Sequence, residues 1–143
     1  MPPESIQFFS DGIKYSLRDR ASVRSWLRLL ARKHKKKIAA LNYVFVPDTK
    51  LLEINRQFLD HDTLTDIITF PGDAPKGHIA GEIYISIDRV KENSKQFGQS
   101  QKDELCRVMA HGLLHLCGFK DKSEKDQRVM RGQEEKALNL RSF

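Results

Sequence analysis

The run HGLLHLCGFKD, residues 111–121, constrains this chain more than any other stretch. It sets His111 and His115 four apart, follows them with Gly118, and ends on Asp121. On an α-helix, residues four apart share a face, with Cβ atoms about 5–6 Å apart. Both imidazoles can then address one ion at about 2.0–2.1 Å. Gly118 suits the left-handed residue that stops a helix, and the reversed chain can return a carboxylate oxygen of Asp121 to the same ion. The pattern H-x-x-x-H-x-x-G-x-x-D thus predicts a helix, a reversal and three metal ligands: His111, His115 and Asp121. Zinc with three protein ligands keeps one position for water, as catalytic zinc sites do. Two histidines at this spacing also occur by accident on ordinary helices; the glycine and the acid, each required by the geometry, separate this run from that case.

The helix presents its histidines as a zinc-protease helix does, but without that motif's base. In H-E-x-x-H a glutamate follows the first histidine and takes the proton from the metal-bound water; here that position is Gly112. Peptide hydrolysis is therefore disfavoured. A phosphodiester suits the site better, because a metal can stabilise the charge of its transition state and RNA carries its own 2′-hydroxyl nucleophile. The formal net charge of +6 points the same way, since a basic surface attracts polyanions, chiefly RNA or DNA.

At 143 residues the chain fits one domain, 1–143, large enough for a real core. No apolar run approaches the roughly 20 residues a bilayer span needs. The start, MPPESIQFFSDG, has Glu4 and Asp11 around a very short apolar segment, so it reads as a first strand and not as a signal peptide. Cys106 and Cys117 are too few for a disulfide framework. On one helix they would lie about 16 Å apart along the axis, so they are read as small buried apolar residues in a cytosolic protein. Cys117, two residues past His115, points away from the metal.

Hydrophobic spacing predicts a strand over 5–9, then a helix through DRASVRSWLRLLARKHKK with Val23, Trp26, Leu27 and Leu30 on one face. IAALNYVFV reads as a strand, and Asp48 as the N-cap of a short helix over Leu51, Leu52, Asn55 and Phe58. DIITF and AGEIYIS read as strands, and a helix covers 87–97. Ser100, followed by Asp103, opens a helix over 101–116; Ser123 caps a last one carrying Val129, Met130, Ala137 and Leu138. Without strict βαβ alternation the class is α+β: a small mixed sheet packed with about five helices. The basic run RKHKKK, Arg32 to Lys37, is read as cations complementing a helix C-terminus, with no separate role for His34. In DHDTLTD, the acids Asp60, Asp62 and Asp66 are given turn and strand-entry duty.

HGLLHLCGF resembles the signature of the YbeY family of metal-dependent endoribonucleases, and INRQFLDHDTLTDIITFPGD and AGEIYIS resemble two further blocks of that family in the same order. The resemblance is close over 40–125 and looser at the ends. It implies an α+β fold, a zinc site on the central helix, and cleavage of single-stranded RNA. It further implies maturation of the 16S ribosomal RNA 3′ end, ribosome quality control, and the small ribosomal subunit or its assembly factors as partners. Two departures stand out. Where the family usually has aspartate then histidine after the aromatic, this chain has Lys120 then Asp121, so the third ligand carries over by position only. A carboxylate weakens the ion as a Lewis acid and favours a harder metal; Asp126, Glu124, His61 and His78 are the substitutes if Asp121 does not bind. The arginine the family often places after the earlier aromatic is Leu59; Arg56 matches another family position and is a candidate phosphate contact or a surface ion pair. The competing readings are a ribosome-assembly factor with a structural metal, a two-histidine, one-carboxylate iron oxygenase, and a metalloprotease handicapped by Gly112.

Overall fold

The computed structural model describes residues 5–60 and 64–143. In chain order the elements are β1 (Ser5–Ser10), α1 (Arg20–Lys33), β2 (Lys37–Val46), α2 (Asp48–Leu59), β3 (Ile67–Pro71), β4 (His78–Ser86), α3 (Ile87–Gln96), α4 (Gln101–Leu116) and α5 (Glu124–Asn139). The strands form one mixed sheet in the order β1-β2-β4-β3. β1, β2 and β4 run parallel, and β3 is an antiparallel edge strand on β4, with Ile67 opposite Ile85 and Pro71 opposite Gly81. This is the α+β class expected from the sequence.

Both faces of the sheet are covered, and side-chain alternation along each strand decides which residue serves which face. Leu41, Tyr43 and Phe45 of β2, with Ile83 and Ile85 of β4, belong to the main core under α1, α4 and α5. Val44 and Val46, with Ile68 of β3, turn to the other face and pack under Leu51 and Ile54 of α2. Two buried hydrogen bonds tie the layers: Tyr43 Oη donates to the Met109 carbonyl of α4 at 2.8 Å, and Trp26 Nε1 of α1 donates to the Ala137 carbonyl of α5 at 2.8 Å. Each satisfies a polar group that burial would otherwise leave costly. No helix among the described residues is long and apolar enough to cross a membrane.

Three local expectations need correction. Asp48 does not cap α2; Pro47 takes that position, and Asp48 is the first helical residue. Its carboxylate instead accepts from Ser86 Oγ at 2.7 Å and from Arg89 Nε at 3.1 Å, joining α2 to the start of α3. A carboxylate in the first helical turn is still favoured there by the helix dipole. Val129 is exposed, whereas Met130, Glu134 and Ala137 form the buried face of α5. The basic run also extends beyond its helix, because α1 ends at Lys33. Cys106 is buried and Cys117 half-buried, both as free thiols, and burial pushes the Cys117 thiol up to about 11.

Candidate active site

α4 carries both histidines, and its sequence explains both ends. Ser100 accepts from the Asp103 N–H at 3.0 Å, and Asp103 and Glu104 in the first turn complement the helix dipole. At the other end the Phe119 N–H reaches the Leu114 carbonyl at 3.1 Å and the Gly118 N–H reaches His115 at 3.0 Å. That is a Schellman closure, with Gly118 at φ +107° as the left-handed residue. The chain then reverses and brings Asp121 Oδ2 to 3.2 Å from His111 Nε2. Gln127 Nε2 of α5 anchors the loop by donating to the Asp121 carbonyl at 3.1 Å.

Gly112 has a packing reason. A Cβ there would sit 2.8 Å from Ile83 Cδ1 and 3.1 Å from Ile67 Cδ1, so glycine is what lets α4 lie this close to β3 and β4. The next residue round the helix, His111, is thereby carried to the sheet edge. An open pocket of about 610 Å³ lies along that edge, lined among others by Asn55 and Leu59 of α2, Asp66, Arg107, His111, His115 and Asp121. All three residues expected as ligands therefore border one pocket.

Behind His111 lies a polar network that sequence reading missed. Glu134 of α5, almost wholly buried, places Oε2 2.7 Å from His111 Nδ1 and Oε1 2.8 Å from Arg107 Nη1. Arg107 in turn grips buried Glu104 with two bonds, 2.9 and 2.7 Å, and lies 3.7 Å from Asp66 Oδ2. Burial would raise the Glu134 pKa, but the hydrogen bonds and charges of His111 and Arg107 hold it below its usual value. Against an ionised carboxylate, His111 Nδ1 must be the donor, which leaves Nε2 for the pocket. Burial also opposes a charge on His111, yet Glu134, then Asp121 and Asp66, raise its pKa above the usual 6.5. Asp66 differs: burial outweighs Arg107 and lifts its pKa. The one sequence signal for Glu134 was an acid at i+4 from Met130 and i−3 from Ala137, on the apolar face of α5. A buried charge there demands a partner, but nothing local names it.

The donor types suit a divalent metal. Two imidazoles and a carboxylate share an open pocket, and a buried carboxylate orients one imidazole through its far nitrogen, the support that metal-bound histidines usually have. As placed, Asp121 pairs with His111, and among the described residues no three His, Cys, Asp or Glu side chains converge to ion-holding distance. The substitute ligands lie elsewhere. Glu124 and Asp126 sit in the first turn of α5, outside the pocket lining. His78 opens β4 with Nδ1 3.2 Å from the Lys76 carbonyl, and His61 falls outside the described residues. Arg56 is exposed on α2 and does not line the pocket; its neighbours Asn55 and Leu59 do. The turn duty given to the acids of DHDTLTD holds for Asp60, which ends α2 at φ +53°. Asp66 does more than enter β3. Its carbonyl accepts from the Ser86 N–H at 3.0 Å, but its side chain faces the pocket. Asp62 lies outside the described residues.

Comparison with known proteins adds an independent line. A family model described as Endoribonuclease YbeY matches residues 6–141. Endoribonuclease YbeY of Cytophaga hutchinsonii is 52% identical over 143 residues, covering all of both chains. The protein of that name in Flavobacterium psychrophilum is 44% identical over 135 residues, covering 92% of this chain and 94% of that one. The solution structure of a Thermotoga maritima protein is similar with a TM-score of 0.63 at 25% identity, covering 94% of this chain and 87% of that one.

Proposed function

The chain belongs to the YbeY endoribonuclease family, and from that premise we propose that it is a zinc-dependent, single-strand-specific endoribonuclease of ribosomal RNA, acting in 16S 3′ end maturation and ribosome quality control in the cytoplasm, with the small ribosomal subunit or its assembly factors as partners. The observation that carries the reading is His111 held by Glu134 at 2.7 Å, with His115 and Asp121 on the same open pocket. His111, His115 and Asp121 would hold the ion, with another divalent transition metal as an alternative to zinc. A bound zinc would supply Lewis-acid stabilisation of charge on the phosphodiester and a lowered pKa for water.

The chain's own residues do the rest. Glu134 fixes the His111 tautomer and ring orientation. Arg107 keeps Glu134 ionised and in place. Asp66 is the pocket carboxylate that neither histidine engages by hydrogen bond, and its raised pKa suits it to accept a proton from an attacking hydroxyl. Gly112, buried against Ile83 and Ile67, leaves no room for the glutamate a zinc protease would need.

Purified zinc-loaded protein should cut unstructured RNA and spare duplex RNA. His115→Ala and Asp121→Ala should lose both the metal, read by elemental analysis, and the cleavage. Undiminished cutting by a metal-free His111→Ala/His115→Ala protein would overturn the reading. Asp121, where the family usually has histidine, is what favours the assembly-factor alternative, in which the metal is structural. Retained metal with no cleavage of any RNA by the wild type would select it.

A further inference from the structure

At the opposite end of the sheet from Asp66, the fold gathers cations from two distant stretches of chain. A groove there is lined by Arg32, Lys35, Lys36 and Lys37, which follow α1, and by Lys76 and His78 from the β3–β4 connection; no carboxylate lines it. The two stretches are locked together. The Lys37 N–H donates to the Gly77 carbonyl at 3.0 Å, and Lys37 pairs with His78 where β2 meets β4. Among the described residues none of the five Lys and Arg side chains is within ion-pair distance of a carboxylate.

The helix dipole does not explain this cluster. It is felt within the last turn, and α1 ends at Lys33, with Arg32 and Lys33 its terminal cations. Lys35, Lys36 and Lys37 lie past the helix, and Lys76 comes from another part of the chain. Like charges gathered without counter-ions repel one another. A bound polyanion removes that repulsion and releases its own counterions.

The groove lies toward the C-terminal end of α4, the end that carries His115. α4 runs antiparallel to β4: Gly112 packs on Ile83, and Leu116 packs on Gly81. The three residues from Gly81 to His78 span about 10 Å, so the basic groove begins just past the end of α4. There the Phe119 ring, two residues before Asp121, meets the His34 ring edge-on with centroids 5.1 Å apart.

We propose that this groove, built on Lys35, Lys36, Lys37 and Lys76, binds the sugar-phosphate backbone of the substrate RNA a few nucleotides from the scissile bond. It rests on the endoribonuclease reading above and adds to it a second contact, with no base specificity, that makes long strands better substrates than short ones. The contacts are to phosphates, so they position the strand without reading its sequence.

The test is a Lys35→Gln/Lys36→Gln/Lys76→Gln triple variant, none of whose positions borders the active-site pocket. Binding of a long unstructured RNA is measured against salt, and kcat/KM is measured on that RNA and on an oligonucleotide just long enough to fill the pocket. Each lost phosphate contact should lower the slope of log affinity against log salt by about 0.7, so the triple variant should lose about 2 from the slope and at least about tenfold in affinity for the long RNA. Cleavage of the short RNA should be unchanged, and the matching triple Lys→Arg variant should behave as wild type. An unaltered slope, or an equal loss on the short RNA, overturns the proposal while leaving the endoribonuclease intact. A wild type that neither binds nor cuts either RNA overturns both together.

Discussion

His111 is held from behind by Glu134 Oε2 at 2.7 Å and met from the pocket side by Asp121 Oδ2 at 3.2 Å. The carboxylate behind it should matter to the metal as much as the one in front. Outer partners of metal-bound histidines typically contribute about 10–100-fold in affinity or activity. Glu134→Gln, which keeps shape but not charge, should weaken zinc binding by about that range, measured by competition with a chromophoric chelator, and lower kcat more than it raises KM. The same pair makes a signed prediction for the metal-free protein. Glu134, with a depressed folded pKa, contributes stability above its unfolded value near 4.5 and loses it as pH falls through the folded value. His111, with a raised one, contributes below 6.5 and loses it as pH rises through the folded value. Denaturant titrations should therefore show the Glu134→Gln deficit largest between those limits and shrinking on both sides. Asp66 has the opposite sign to Glu134. Its raised pKa means that ionisation costs stability above about 3.8, so metal-free Asp66→Asn should melt higher than wild type at neutral pH and match it in acid. It should also cleave more slowly, a trade of activity for stability that functional carboxylates often show.

Among the elements, α4 shows how one helix serves the core and the site together. Its buried residues Leu105, Val108, Met109, Leu113 and Leu114 hold it on the sheet, and this packing carries His111 and His115 to the edge beside β3. Two helical glycines make the role of close approach measurable. Gly112→Ala recovers up to about 1 kcal/mol of helix propensity but forces a methyl into Ile83 and Ile67, and overpacking costs about 1–3 kcal/mol. It should destabilise the fold and weaken metal binding as α4 shifts. Gly132 of α5 has nothing within 4 Å of an added Cβ, so Gly132→Ala should stabilise by up to about 1 kcal/mol. Equal signs for the two substitutions in urea unfolding would refute this account of Gly112.

For the whole molecule, the site stands at the margin of the architecture. The main core joins β1, β2 and β4 to α1, α4 and α5 through apolar contacts and reaches the pocket at Val108 and Ile67, while the Glu104–Arg107–Glu134–His111 network joins it by polar contacts. Stripping the metal with a chelator should leave the far-UV circular dichroism unchanged and abolish RNA cleavage. Returning zinc should raise the melting temperature of the wild type, because an ion that binds only the native state stabilises it by mass action, and should leave that of His115→Ala unmoved. Loss of helical signal on chelation would mean instead that the metal is structural.

The chain's local order was legible without a structure. Helical periodicity, the serine caps at 100 and 123, and Gly118 located α4, α5 and the reversal between them, because these signals act within a few residues. The run from His111 to Asp121 likewise announced which side chains share a pocket, since helix pitch and one glycine turn suffice to bring them round. That Glu134 partners both His111 and Arg107 could not be read there. Glu134 lies 23 residues from His111 and 27 from Arg107, and only the docking of α5 on α4 decides which buried acid meets which base. The same holds for Lys76 beside Lys37, joined by the pairing of β2 with β4, and for Asp66, turned into the pocket by the edge strand it precedes. Periodicity and caps are short-range physics carried by neighbours in sequence; charge pairing across layers depends on distances that only tertiary packing sets.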